Sequence, residues 1–342
     1  MGASMSKWMG LSLVCLATAC GESDGGVAVP VRAPTPDLAT ADDPFLPIPL
    51  EVEYDRDAAA IGESLYVDPI LSGDGKVSCV DCHDLRQQGG TDGRPFSDLE
   101  WRDRGQVNAT TVFNLIFNDK LGWIGKYDSM ELHLDAPMMG DLVMDMESWD
   151  VIVDKLDADP DYRQRFERVF DDGITVHTVK ESLVAYQRSL ITPNAKFDRF
   201  LRGADHDGLS PDEAKGYRLF KELGCVSCHQ GRNVGGNMLQ KFGVMVDYPL
   251  DREPRPADYG RYNWTRQERD RFVFRVPSLR NVAVTAPYFH DGSAQTLEDA
   301  VRTMALHQLG VELDDERVRL IVAFLNTLTG EFEGKKLEQE RE

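Results

Sequence analysis

Two stretches of this 342-residue chain read Cys-x-x-Cys-His: Cys79-Val80-Asp81-Cys82-His83 and Cys225-Val226-Ser227-Cys228-His229. This is the attachment signature of a c-type haem, with two thiols to form thioethers to the porphyrin vinyl groups and an adjacent histidine to reach the iron. A lone Cys-x-x-Cys also suits a redox dithiol, and two of them a zinc site with four thiolates. Those readings give His83 and His229 no use, and the histidine follows the second cysteine both times. Each motif must therefore sit in a loop that closes around a covalently held macrocycle. Two covalent haems make redox chemistry the expected function.

Of six cysteines, four belong to these motifs, which leaves no pair for a structural disulfide beyond Cys15 and Cys20 at the N-terminus. Residues 1–19 read as an export signal: Lys7 supplies the charge, and Trp8 to Ala19 is an apolar run too short to span a bilayer. Cys20 follows Ala17-Thr18-Ala19 and reads as the lipidated first residue of a mature lipoprotein, although the usual larger apolar residue, Leu16, sits one place early. Ordinary cleavage nearby is the alternative. Both place the mature chain in the periplasm, with a lipid anchor as its one membrane attachment. Residues 20–47, rich in Pro, Gly, Asp and Ala, read as a flexible linker. The net charge of −20 argues against nucleic acid and would steer a basic partner such as a small cytochrome.

The body of the chain carries a degenerate internal repeat. Gly62-Glu63-Ser64-Leu65-Tyr66 precedes the first motif, and Gly216-Tyr217-Arg218-Leu219-Phe220 precedes the second. Both read as helices leading into a haem-binding loop, as in class I cytochrome c domains. Ser210-Pro211-Asp212-Glu213 is a helix start with Ser at N-cap, Pro at N1 and Glu at N3. Asp205-His206-Asp207-Gly208 faintly echoes a calcium loop but lacks the rest of that pattern. Trp149 to Leu156, ended by Asp159-Pro160, is an amphipathic helical run, and Val176 to Leu190 is another. Val318, Ile321, Val322, Leu325 and Leu328 recur at helical spacing before Gly330. The expected fold is mainly α: two tandem class I cytochrome c-like domains, each with one covalent haem. The N-terminal domain spans 48–202 and the C-terminal domain 203–332, followed by a charged tail at 333–342.

The chain resembles the bacterial dihaem cytochrome c peroxidase family, which includes the MauG-type enzymes. The resemblance runs over about residues 60–332 in five blocks. They are Val77 to Asp84 continuing to Gly89-Gly90-Thr91-Asp92-Gly93; Asn108 to Asn114; Ser189-Leu190-Ile191-Thr192-Pro193 with Phe197-Asp198; Pro277 to Val282 with Thr285 to Gly292; and Ile321 to Gly330. It implies that the haem on His83 reacts with hydrogen peroxide. The haem on His229 would receive electrons from a small soluble donor, a cytochrome c or a cupredoxin. Met304 matches the distal ligand of that second haem, and a thioether opposite histidine suits electron transfer. Trp123 matches a relay between the haems. Asn108, Thr285 and Pro287 match an interdomain calcium site, the last two through backbone carbonyls. His290 is expected to order the haem–haem region. Family members are often dimers, which makes a homodimer a further expectation.

Three positions around the first haem depart from the family pattern. Where many members carry a histidine that ligates the resting iron, ungapped counting places Glu100. His133 stands where glutamine is common, and Asp145-Met146 matches a Glu-Met pair after a short insertion. Asp145 is the first candidate for the base that peroxide cleavage needs, and His133 the second, or a replacement iron ligand. His177, His206 and His307 read as surface or structural residues. The leading function is a cytochrome c peroxidase. The alternatives are a MauG-like oxidase that modifies a partner protein, and a dihaem electron carrier.

Overall fold

The computed structural model describes residues 43–97, 107–140, 143–203, 208–248 and 253–338, all within one compact unit, Ala39–Glu342. The export signal, Cys20, Glu100 and His206 lie outside the described residues. The described elements are helices α1 (Arg56–Val67), α2 (Met130–His133), α3 (Asp135–Met139), α4 (Trp149–Ala158), α5 (Pro160–Val169), α6 (Val176–Ser189), α7 (Lys196–Leu201), α8 (Pro211–Glu222), α9 (Tyr262–Thr265), α10 (Leu297–Leu309) and α11 (Asp315–Asn326). Strand β1 (Leu239–Lys241) pairs antiparallel with β2 (Val273–Arg275), Leu239 opposite Arg275. A small hairpin joins β3 (Glu331–Phe332) to β4 (Lys335–Lys336). The chain is thus mainly helical, and no helix among the described residues is long and apolar enough to cross a membrane.

Local chemistry sets the helix ends. Asp159 closes α4 and caps α5, its carboxylate accepting from the amides of Asp161 and Tyr162, while Pro160 takes the first helical position, where no N–H is needed. The Ser210 hydroxyl accepts from the Glu213 amide, and Glu213 returns a 2.6 Å bond from the Ser210 amide, which completes the capping box at the start of α8.

The internal repeat becomes two equivalent helix crossings. α1 packs on α6, and α8 on α11, the two most extensive helix pairings in the chain. A Cβ at Gly62 would overlap the backbone carbonyl of Ser182, and one at Gly216 would overlap that of Leu320. Glycine is required at both positions because the backbones meet there. One turn further on, Tyr66 is buried and its hydroxyl donates to the His83 carbonyl. Its counterpart Phe220 lies 6.3 Å, centroid to centroid, from the His229 ring. Each crossing therefore aims a helix C-terminus at one Cys-x-x-Cys-His loop.

The two ends of the body differ from expectation. Residues 43–47 of the expected linker are packed into the structure. Phe45, 2% exposed, inserts among Phe197, Tyr217, Phe220 and Phe324. The Pro44 carbonyl accepts from the Gly231 amide at 2.8 Å, just beyond the second haem motif. Asp198 and Arg280, both buried, pair at 2.9 Å, and Asp198 also accepts from the Ile48 amide while Arg280 donates to the Leu46 carbonyl. The proline and acidic content of this stretch conceals a core residue, Phe45, next to buried Ile48. Likewise the start of the charged tail is a hairpin that buries Leu337 and sets Phe332 5.0 Å from Phe113. The N-terminal strap thus packs by the second motif, and the C-terminal hairpin returns to the core around the first.

Gly216→Ala and Gly62→Ala should each lower unfolding stability by about 1–3 kcal/mol or more, because the added methyl forces two backbones apart. Thermal melts of the holoprotein check this; unchanged melting temperatures would contradict the crossing.

Candidate haem and redox site

Both motifs fold into a short 3₁₀ turn, Cys79–Asp81 and Cys225–Ser227. Asp81 holds the first turn by accepting from the Ser78 amide and hydroxyl at 2.8 and 2.9 Å. The two histidines are prepared alike. His83 Nδ1 lies 3.1 Å from the Gly90 carbonyl, and His229 Nδ1 lies 3.3 Å from the Val234 carbonyl. A carbonyl can only accept, so Nδ1 carries the proton in each ring and Nε2 keeps a free lone pair. Burial opposes the imidazolium form of both, taking His229 down to about 4, which leaves neutral rings fit for iron. None of the four motif cysteines forms a disulfide. Burial pushes Cys79 up to about 12 and Cys225 up to about 11, the opposite of what a redox dithiol needs.

A cavity of about 250 Å³ opens beside the second motif. Cys225, Cys228 and His229 line it, as do Met304 from α10 and the apolar side chains of Phe220, Ile321 and Leu325. An apolar, concave space with a proximal imidazole and a thioether on its walls fits a haem c. His307 and Gln308, at the C-terminal end of α10, fasten it to the 243–246 loop; His307 Nδ1 donates to the Val246 carbonyl at 3.0 Å. His307 is therefore structural, while His177 is exposed and faces Glu181 at 3.5 Å.

The same cavity reaches Trp123, Asn108, Thr285, Pro287 and His290. Trp123 Nε1 donates to the Asn108 carbonyl at 2.7 Å, and the Asn108 side-chain amide meets the Pro287 carbonyl at 2.6 Å. Turned about its terminal bond, that amide offers an oxygen beside a carbonyl, the donor chemistry that suits Ca²⁺. His290 stacks on Phe274 at 4.5 Å, meets Trp123 edge-on at 6.4 Å, and pairs through Nε2 with buried Asp258 at 2.9 Å. Sequence reasoning missed Asp258, which lies 32 residues from its partner and carries no local signal.

Near the first motif, His133 ends α2, half-buried, with its ring 5.5 Å from Tyr127. Burial, then the charges of His83 and Arg275, pull His133 down to about 4, so it is neutral at physiological pH. Asp145, the first candidate for the base, stands in a different setting from His133. It is exposed, with a left-handed backbone (φ 52°) and its carbonyl packed against Gly73, while its neighbours Met144 and Met146 are buried.

Residues 56–206 match the family model for di-haem cytochrome c peroxidase. The cytochrome c551 peroxidase of Nitrosomonas europaea is 41% identical over 296 residues, 86% of each chain. The cytochrome c peroxidase Ccp of Escherichia coli is 40% identical over 288 residues, 84% of this chain and 61% of its own length, so this chain spans less than two thirds of that relative. Among solved structures, a MauG-like protein associated with microbial copper homeostasis superposes with a TM-score of 0.71 at 26% identity, covering 84% of this chain and 93% of the other. The chain belongs to the di-haem cytochrome c peroxidase family.

The low His133 value has a pH signature. Between pH 6.5 and 4 the unfolded chain takes up a proton that folded His133 refuses, so its contribution is full above pH 6.5 and is lost as pH falls towards 4. His133→Gln should flatten the stability–pH curve in that window; denaturant titrations at several pH values measure it.

Proposed function

We propose that this chain is a periplasmic di-haem cytochrome c peroxidase that reduces hydrogen peroxide to two waters. Two electrons would arrive singly from a small cytochrome c or cupredoxin. In this reading residues 48–202 form the peroxide-reacting half and residues 203–332 the electron-accepting half, and Cys20 carries the lipid. The observation that carries it is the unequal company of the two proximal histidines. His229 shares its cavity with Met304, whereas His83 has neutral His133 in its neighbourhood.

When bound, the haems supply iron that exchanges single electrons and, where a coordination position is open, binds peroxide. His83 and His229 offer Nε2 as proximal ligands. Met304 Sδ would close the second site, which suits electron transfer. His133 would serve as the base that takes up and returns a proton while peroxide is cleaved. His133 is preferred to Asp145 on placement, because it is half-buried near the first motif whereas Asp145 is exposed. Trp123 passes electrons between the halves. Calcium on Asn108, Thr285 and Pro287 would steady that relay, since Asn108 also holds the indole N–H.

A MauG-like oxidase is the second reading, favoured by the altered pocket at His133 and by the likeness to a MauG-like structure. Steady-state oxidation of a reduced small cytochrome c, started with hydrogen peroxide, separates the two. A peroxidase turns over rapidly, and His133→Gln lowers kcat/KM by about 10²–10⁴ with haem content unchanged. A chelator should depress turnover, with recovery on adding calcium. Negligible turnover, together with a peroxide-dependent mass change on a partner protein, would favour the oxidase instead.

A further inference from the structure

The cavity beside His229 contains a charge with no counter-ion. Arg275, on β2, is 4% exposed and lines the cavity, and its Nη1 is buried without a hydrogen-bond partner. It is the one lysine or arginine among the described lining residues, and none of them is an aspartate or glutamate. The guanidinium is nonetheless held in place. Its Nε donates to the Gly122 carbonyl at 3.1 Å, and the Arg275 backbone amide donates to the Trp123 carbonyl at 2.7 Å. The neighbouring β2 residue, Phe274, is the one on which His290 stacks.

An uncompensated buried guanidinium is costly, and proteins tolerate one where a bound anion completes it. Burial alone draws Arg275 down to about 10, a direction that an anion at Nη1 would reverse. The occupant this cavity fits, a haem c on Cys225 and Cys228, brings two carboxylates of its own, the propionates. An arginine fork suits a carboxylate better than an ammonium does, because two N–H groups can meet two oxygens.

We propose that Arg275 anchors a propionate of the His229 haem through Nη1, and so ties the edge of that haem to the Gly122–Trp123 segment. This rests on the reading that a haem occupies the His229 cavity. One side chain then joins the electron-accepting cofactor to the indole that leads towards the first motif. Its Nε holds the Gly122 carbonyl, and the backbone amide of the same residue holds the carbonyl of Trp123. Arg275 is an anchoring and positioning residue and takes no proton in the reaction.

The test is a spectroelectrochemical pH titration of the His229 haem in wild type, Arg275→Lys and Arg275→Gln, after mass spectrometry of each holoprotein. In wild type the potential should be nearly flat between about pH 6 and 9, because the guanidinium keeps the propionate ionised. In Arg275→Gln the potential should shift down at high pH and rise as the unpaired propionate takes up a proton, and electron transfer between the haems should slow. The lysine variant should fall between. Identical potentials and slopes in wild type and Arg275→Gln would overturn the anchor while leaving the two-haem reading intact. A wild-type chain without haem on Cys225 and Cys228 overturns both. Should Arg275→Gln fail to mature, a crystal structure of wild-type holoprotein decides. A propionate oxygen within about 3 Å of Nη1 supports the anchor, and its absence overturns it.

Discussion

Everything in this molecule depends on two places where helix backbones touch. At Gly62 against Ser182, and at Gly216 against Leu320, the missing side chain lets one helix lie directly on another. The consequence is positional. With the crossing closed, the residue one turn later, Tyr66 or Phe220, reaches the histidine of the following motif. The loop after that histidine then supplies the carbonyl, Gly90 or Val234, that fixes its tautomer. Crossing, aromatic, motif and carbonyl form one unit used twice, and each copy holds its imidazole by Nδ1.

The two units are made unequal by what surrounds them. The second is supported by the strap through Phe45 and by the buried Asp198–Arg280 pair, whose disruption would strand a charge at a cost of about 3–5 kcal/mol. α10 then brings Met304 to its cavity. The first takes the C-terminal hairpin into its core, with Leu337 buried, and has His133 nearby. The scaffold is repeated, and the additions around it are not. Between the units, Trp123, Asn108 and His290 form a bonded cluster whose parts come from distant stretches of chain.

Much of this was legible in the sequence because it is local. The motifs, the capping box at Ser210, the break at Asp159-Pro160 and the glycine–aromatic repeat all act within a few residues of themselves, and the structure displays each of them. What could not be read was long-range. Phe45 and Leu337 sit in segments whose composition is that of a linker and a tail, so a single buried side chain left no period to detect. Asp258 and Arg275 gain their importance from residues 32 and 153 positions away. Asp145 was matched, after a short insertion, to a Glu-Met pair of the family. The backbone around it alternates, burying Met144 and Met146 and leaving Asp145 exposed.

The central claim is that two equivalent haem loops carry unequal irons, the second closed by Met304 and the first open. Electron paramagnetic resonance of the fully oxidised, calcium-loaded holoprotein addresses it most directly. One high-spin ferric haem and one low-spin histidine–methionine haem in equal amounts are the predicted result, with the low-spin signal lost in Met304→Ala. Two low-spin haems in the resting protein, or a low-spin signal indifferent to Met304, would contradict the account.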